Sequence, residues 1–251
     1  MSILFSGLFF LYGTIFGSFY NVVGLRVPKK KSIVSPGSAC PKCGHRLKWT
    51  ELIPVLSYFL LRGKCSSCGL TIPVKYPVIE AFTGLLFALS FYVYGFSGEL
   101  IVSVLFASLL IIISVSDLEY MLIPDRILLF FGGLLLMLRI IAPLSPWWDA
   151  PLGAASGFTL LLLIAIISKG GMGGGDIKLY AVIGLVLGVK LTLLSFFIAT
   201  FIGTAAGLFA IYARKKSRKD PVPFGPSIAA GAMIAYFWGN DLISAYMNLI
   251  F

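Results

Sequence analysis

The sequence predicts an all-α polytopic membrane protein with about eight transmembrane helices. Of its 251 residues, 59% are hydrophobic and only 12% are charged, which is about half the charged fraction of an ordinary soluble domain. Long uncharged runs recur along the chain, and each approaches the length that a helix needs to cross a hydrocarbon layer about 30 Å thick. Because backbone polar groups in lipid must pair internally, a bundle of helices follows.

Eight hydrophobic segments are predicted to form the helices. They span residues 3–25, 77–95, 99–116, 124–142, 151–168, 177–189, 190–212 and 225–248. The first could be mistaken for a cleaved signal peptide, but it lacks a basic N-terminal region and is too long for a signal peptide's apolar core, so we expect a retained helix. Three regions are therefore expected: a first transmembrane helix (1–25), a polar loop (26–76) and a helical bundle (77–251).

The net charge of +10 is predicted to lie almost entirely on one side of the membrane. That side collects 18 of the 20 cations: ten within residues 26–75, then Arg126, Lys169 and Lys178, and five within residues 214–219. The opposite side keeps only Arg139 and Lys190. Such a bias marks the basic side as cytoplasmic, and topology together with anionic lipid accounts for the charge without a nucleic-acid partner.

The polar loop holds all four cysteines of the chain. Cys40 and Cys43 form one C-x-x-C pair, and Cys65 and Cys68 form a second pair after 21 intervening residues. Two such pairs let four thiolates converge on one tetrahedral ion, and a filled sphere indicates a structural zinc site in a zinc-ribbon loop. Gly44 and Gly69 follow the pairs, where a tight turn favours positive φ. Two redox pairs or four free thiols remain the alternatives.

His45 is the only histidine of the chain, so catalytic triads and zinc-protease motifs that depend on histidine are not expected. Carboxylates are therefore the candidate catalytic groups. His45 is expected to be a solvent-exposed loop residue. Asp117 closes one hydrophobic run and Asp176 ends a glycine run, and both are predicted at cytoplasmic helix ends. Ionisable groups at membrane depth usually face a bundle interior or a watery cavity. Two facing carboxylates share a proton and supply one acid and one base, which suits water-mediated peptide hydrolysis.

The glycines before Asp176 are expected to allow a backbone turn that brings Asp176 close to a partner. Gly174 and Gly175 are therefore predicted as supporting residues, although a flexible loop with Asp176 as a helix cap is the alternative. Asp125 follows a proline at a helix start and is expected to be structural or supporting. Glu119 is expected to be solvated.

These residues resemble the type IV prepilin peptidases, which are also called leader peptidase/N-methyltransferases. The resemblance runs almost end to end, and its motifs occur in the family's order. They are Gly17-Ser-Phe-Tyr-Asn-Val22 with Arg26 and Pro28, the cysteine pairs with Ile53-Pro-Val-Leu-Ser-Tyr58 and Arg62-Gly-Lys-Cys65, Tyr76-Pro-Val-Ile-Glu80, Asp117 with Ile123-Pro-Asp125, Gly173-Gly-Gly-Asp176-Ile-Lys178, and Pro223-Phe-Gly-Pro226.

The resemblance implies a G-x-G-D membrane aspartic protease with Asp117 and Asp176 as its catalytic pair, and Lys178 among the supporting residues. It implies cleavage of type IV prepilin or pseudopilin precursors after a glycine, at the cytoplasmic face of a bacterial inner membrane. It also implies methylation of the new N-terminal amine with S-adenosylmethionine.

Four residues are assigned by analogy to methyl transfer or its support: Gly17, Asn21, Arg26 and Glu80. Ordinary structural roles compete with that assignment. Gly17 would serve helix packing, Asn21 an interhelical hydrogen bond and Arg26 the positive-inside bias, and Glu80 could pair with Arg26.

Two other functions stay open at this point. One is a protease that lacks methyltransferase activity, and the other is a zinc-stabilised transporter or assembly scaffold with a buried acid pair. The sequence shows no convincing inverted hydropathy repeat of the kind that many transporters carry. It contains no G-x-G-x-x-G fingerprint to locate a methyl-donor pocket, and it does not indicate the oligomeric state.

Overall fold

The computed structural model describes residues 2–169, 171–213 and 223–250. The predicted cytoplasmic cations at residues 214–219, and Gly170 of the glycine run, lie outside the described residues. The helices are α1 (Ser2–Arg26), α2 (Leu56–Leu60), α3 (Lys75–Tyr94), α4 (Gly98–Tyr120), α5 (Asp125–Ile141), α6 (Asp149–Ile167), α7 (Gly174–Tyr212) and α8 (Gly225–Ile250), with a 3-10 turn at Trp49–Leu52. The described part of the chain has no β-strand, only two isolated bridges. The prediction of an all-α fold is confirmed.

Five of the described helices, α1, α3, α4, α6 and α7, are long and apolar enough to cross a membrane. The protein is therefore a multi-pass membrane protein. Helix α5 has only 17 residues, and α8 is not among the five. Eight separate crossings remain a prediction.

Helix α7 folds back on itself at Gly188. This residue has φ 74° and ψ 176° inside an otherwise helical run of 39 residues. Tyr180 and Phe196 lie eight residues to either side, yet their ring centroids are only 5.9 Å apart. A straight helix would separate them by about 24 Å at 1.5 Å per residue. The two halves therefore form a helical hairpin, close to the predicted boundary between helices 177–189 and 190–212.

The chain divides into two compact units, which meet in sequence between Val115 and Ser116. In the first unit α1 packs antiparallel on α3, and a side chain on Gly13 would collide with the backbone of Gly84. Such small residues let two helices approach closely. Tyr20 and Ser108 join α1 to α4 through hydroxyl groups 2.6 Å apart.

The second unit is built around α7. Gly153 of α6 lies against Gly184 and Gly188 of α7, where a Cβ atom would meet backbone. Gly231 of α8 also packs closely on α7, where a Cβ atom would lie 2.6 Å from the carbonyl of Ser195 and 2.7 Å from the nitrogen of Ala199. The core of this unit is apolar, with Leu135, Leu161, Ile183 and Ile228 fully buried.

Candidate active site and metal centre

Asp117 lies in the last turn of α4 and is buried, with 7% of its surface exposed. Its carboxylate accepts a hydrogen bond of 2.7 Å from the backbone N–H of Gly225, which is the first residue of α8. The helix ends just beyond Asp117, because Met121 takes a left-handed φ of 52°. This carboxylate is therefore held at a helix end by a backbone group from a segment 108 residues away.

Gly225 is a site residue that the sequence analysis did not single out. A Cβ atom built on it would lie 2.8 Å from Asp117 Oδ2 and 2.9 Å from Asp117 Cβ, which is closer than real Cβ atoms come. Only glycine lets the backbone reach the carboxylate here. The available signal was a glycine between two prolines, Pro223-Phe-Gly-Pro226, just before a hydrophobic run.

Asp176 lies in the first turn of α7 and is half-buried. Its backbone N–H donates to the carbonyl of Gly173, 3.1 Å away, and Gly173 precedes the helix in extended conformation. Gly174 and Gly175 are helical rather than part of a turn. A Cβ on Gly175 would lie 2.7 Å from Ile123 Cβ, so this glycine permits close packing on the Ile123-Pro-Asp125 segment.

The structure brings Asp117 and Asp176 close enough for their charges to interact electrostatically. Both belong to the second unit, although 58 residues separate them in sequence. Asp117 is buried and accepts from the Gly225 N–H, whereas Asp176 is half-buried and its carboxyl group has a backbone hydrogen bond with Gly173. A pair of carboxylates in unequal surroundings can divide the roles of acid and base toward one water molecule.

Asp125 and Lys178 form an ion pair beside this site. The Lys178 ammonium lies 2.8 Å from both carboxylate oxygens of Asp125. Both side chains are more than half exposed, so the pair contributes little to stability. It joins the start of α5 to the first turns of α7, and a supporting role in catalysis stays a prediction. Glu119 is exposed, as expected.

The four cysteines form a cluster with the geometry of a metal site. All four Sγ atoms lie within 4.8 Å of one another, with Cys40 to Cys68 at 3.7 Å and Cys43 to Cys65 at 4.0 Å. A tetrahedral zinc with Zn–S bonds near 2.3 Å requires sulfurs about 3.8 Å apart. Disulfide sulfurs would be about 2.05 Å apart. The residues fit a four-cysteine metal ion and not a pair of disulfides.

Each cysteine pair sits in the same kind of turn. The N–H of Gly44 donates to the carbonyl of Cys40, and the N–H of Gly69 donates to that of Cys65, both over 3.0 Å. Both glycines have φ of 69°, so the predicted positive φ is confirmed. Isolated bridges close the turns, Ala39 with Arg46 and Lys64 with Thr71.

These turns tune the thiols electrostatically. Backbone N–H groups of Cys43 and Lys42 lower the pKa of Cys40 to about 6 from its ordinary value of 9.0. At Cys68, the backbone of Leu70 acts to lower the pKa, but burial and the three neighbouring sulfurs together raise it to about 11. Crowding by the neighbouring sulfurs thus opposes ionisation of Cys68. A divalent cation bound here would favour the thiolate form of its ligands.

Glu51 of the 3-10 turn links the two cysteine turns. Its carboxylate accepts hydrogen bonds from the Lys48 N–H at 2.7 Å and from the Ser66 hydroxyl, and lies 3.1 Å from His45 Nε2. These contacts lower the pKa of Glu51 to about 2, and the hydrogen bond from Ser66 has the largest effect. His45 is therefore not the solvent-exposed loop residue that was expected. It is half-buried because Glu51 binds its ring.

Three of the four residues assigned by analogy to methyl transfer lie together where α1 and α3 meet. A Cβ on Gly17 would lie 2.8 Å from Glu80 Cα, and the Asn21 side chain donates to the Tyr76 carbonyl over 3.4 Å. Asn21 is 4% exposed, and its Oδ1 is buried without a hydrogen-bond partner in the described structure.

Arg26 is the fourth residue assigned by analogy to methyl transfer, and its side chain contacts the loop that follows α1. Its guanidinium donates to the carbonyls of Ser32 and Gly37 in the loop. Glu80 accepts instead from the Val55 N–H, 2.7 Å away. The suggested pairing of Arg26 with Glu80 is not found, because backbone groups of the loop satisfy both side chains.

Comparison with known proteins places the chain in a family. Residues 11–94 match the bacterial peptidase A24 N-terminal domain, and residues 104–208 match the type IV leader peptidase family. A prepilin leader peptidase/N-methyltransferase of Bacillus subtilis is 48% identical over 240 residues, which cover 96% of this chain and 97% of that protein. The chain belongs to the type IV leader peptidase family.

Two further members of the type IV leader peptidase family show how far the similarity extends. Proteins with the same description from Xanthomonas campestris and Pseudomonas aeruginosa are 33% and 32% identical, over 94% and 95% of this chain and 92% of each relative. The similarity thus includes both the cysteine loop and the segments that carry the two aspartates. No solved structure matches the chain.

Proposed function

We propose that this protein is a bifunctional prepilin peptidase, which removes the leader of a type IV prepilin-like precursor and then methylates the new N-terminus. The observation that carries the proposal is the meeting of Asp117 and Asp176 at the ends of two helices far apart in sequence. Family membership supports the same activity. We place this site at the cytoplasmic face of the inner membrane, on the basis of the positive charge of the loops.

Cleavage proceeds by water attack on the scissile carbonyl, after a glycine of the precursor. One carboxylate of the pair accepts a proton from the water, and the other donates a proton to the departing amine. The hydrogen bond from Gly225 fixes the Asp117 carboxylate, while the helix start fixes Asp176, so neither group must reorganise during the reaction. A partly lipid-embedded site also suits a substrate whose mature end begins with a hydrophobic helix.

Methyl transfer follows on the amine that cleavage releases. S-adenosylmethionine supplies an electrophilic methyl group when bound. The unpartnered Asn21 Oδ1 and the Glu80 carboxylate are acceptors, which suits a ligand bearing positive charge or N–H donors, and we assign these residues with Gly17 to that reaction. We assign zinc to the four cysteines as a structural ion, because four ligands leave no open position.

The decisive experiment replaces each aspartate and measures the mass of a prepilin incubated with the purified enzyme, with and without methyl donor. D117N and D176N should each lower cleavage by at least about 10³-fold, because the acid–base pair is broken, while metal content stays unchanged. E119Q, two residues from Asp117 and exposed, is the matched control and should cleave normally. Normal processing by D117N or D176N would remove that residue from the pair.

A further inference from the structure

The loop between α1 and α3 exposes an apolar surface that no part of the cysteine cluster covers. We define the apolar loop face as Trp49, Leu52, Leu56, Phe59 and Leu60. Trp49, Phe59 and Leu60 are 79%, 69% and 70% exposed. Large apolar side chains that are exposed together within one short segment are unusual in water and indicate an interaction surface.

The local structure places these side chains on one side. Trp49 and Leu52 are three residues apart in the 3-10 turn, which has three residues per turn, so they point the same way. Leu56, Phe59 and Leu60 have the spacing of one face of the short helix α2. Glu51 points oppositely, into its contacts with His45, Lys48 and Ser66. The segment is thus amphipathic, with a polar side on the cysteine turns and an apolar side away from them.

Contacts with α3 hold this segment at a defined depth. The Val55 N–H donates to Glu80 over 2.7 Å, and Glu80 lies five residues into α3, which begins at Lys75. Five residues correspond to about 7.5 Å along a helix, and the 20-residue α3 is about as long as a hydrocarbon core is thick. Val55 therefore lies level with the first turns of a spanning helix.

Backbone strain at Val55 shows how firmly it is held. Val55 has φ 61° and ψ −53°, and the Leu56 N–H bonds the Pro54 carbonyl over 2.6 Å. This is a classic γ-turn, a rare conformation that a β-branched residue adopts only when its surroundings impose it. Within this turn the Val55 N–H donates to the Glu80 carboxylate.

Charge completes the pattern of a membrane-surface element. Residues 26–75 contain ten basic side chains and one acidic side chain, Glu51, and Lys42, Arg46, Lys48, Arg62 and Lys64 are exposed. Amphipathic segments bury their apolar face about 5–10 Å into the headgroup boundary while their cations bind anionic lipid. Tryptophan also favours this interface.

We propose that residues 49–60 form an interfacial anchor, whose apolar loop face enters an anionic lipid surface beside α3 and holds the cysteine turns against the membrane. The anchor is independent of either catalytic activity. The proposal predicts that the loop lies on a lipid surface and that its basic residues bind the phosphate groups of the lipids.

The test uses the full chain with W147F, W148F and W238F, so that Trp49 is the sole tryptophan, in nanodiscs of phosphatidylcholine with or without phosphatidylglycerol. Trp49 should be quenched by lipids brominated near the headgroup, and roughly threefold less by aqueous acrylamide than in the same chain carrying L56S, F59S and L60S. Phosphatidylglycerol should increase the shielding. Metal content, equal in both chains, confirms that the serine variant keeps its loop.

Three results would overturn the proposal. Equal acrylamide quenching in the two chains means that the apolar loop face lies in water. Shielding of Trp49 that is the same with and without phosphatidylglycerol means that the anchor does not bind anionic lipid. Shielding that develops only when a prepilin is added assigns the surface to the substrate instead of the bilayer.

Discussion

At the scale of single residues, Ser66 and Glu51 join the two cysteine turns through one hydrogen bond beside the metal ligands. Ser66→Ala removes that bond, so we expect roughly tenfold faster metal loss to a chelator, the lower end of effects seen around metal ligands. Ser67→Ala changes the next residue of the same turn and is the matched control. Equal metal loss from both variants would show that the link has no such role.

The pH dependence of the Glu51 contacts follows from its pKa of about 2. A depressed carboxyl pKa stabilises the folded loop above the unfolded value near 4.5, and this contribution is lost as pH falls toward 2. Between about pH 7.5 and 9, above the range in which an imidazole changes charge, the ratio of metal-loss rates for Glu51→Gln and the unmodified protein should therefore be constant. A ratio that changes through this range would indicate another titrating group.

Gly225 shows how one missing side chain positions a functional group. Gly225→Ala places a Cβ within 2.8–2.9 Å of Asp117 atoms, so the carboxylate or α8 must move, and a shift near 1 Å costs about 10²-fold in rate. We expect that loss in prepilin cleavage. Gly133 of α5 has open space around it, and Gly133→Ala should keep activity and stabilise the helix by about 0.5–1 kcal/mol. Full activity of Gly225→Ala would contradict the role of this approach.

At the scale of helices, the hairpin of α7 is the element that needs most support. Asp149 accepts from the Val189 N–H at 3.0 Å, and Arg139 donates to the Val186 carbonyl at 2.8 Å. Two charged side chains thus satisfy backbone groups on either side of the turn at Gly188. Unsatisfied backbone groups in lipid are costly, which explains a buried arginine in an apolar helix.

Asp149→Ala should destabilise this hairpin. It leaves the Val189 N–H without its acceptor, which costs about 1–3 kcal/mol, and thermal unfolding in detergent would measure the loss as a lower Tm. Asp241→Ala, at an exposed position of α8, is the control and should leave Tm unchanged. An unchanged Tm for Asp149→Ala would mean that another group satisfies this N–H.

At the scale of the molecule, the two sets of chemically active residues belong to different units. The four cysteines and the Gly17–Asn21–Glu80 group lie before Val115, whereas Asp117 and Asp176 lie after it. Cys68→Ser should therefore release the metal and lower methylation strongly, while cleavage stays within about threefold, because the metal ligands and the aspartates belong to different units. Mass measurement of processed prepilin reports both reactions. Equal loss of cleavage and methylation would indicate unfolding of the whole chain.

Much of the architecture was predictable because it depends on residues that are close together in the sequence. Hydropathy runs predicted the helical segments, including the division of α7 near residue 189, and the two C-x-x-C-Gly turns were recognisable from spacing alone. The aspartates were recognisable because charges are scarce at membrane depth. Each of these signals depends on neighbours in the chain.

The sequence alone thus determined which long apolar segments are helical, although not the short helix α2 and the 3-10 turn of the loop, as well as which four side chains can bind a metal and which acids are candidates for catalysis. Only the tertiary structure revealed that Gly225 holds Asp117, that Glu51 binds His45 and Ser66, and that Glu80 restrains Val55 rather than pairing with Arg26. The physical reason is that each of these contacts uses a backbone group or a short polar side chain whose partner is chosen by packing. Hydrophobicity and residue spacing along the chain therefore do not predict these hydrogen-bond partners.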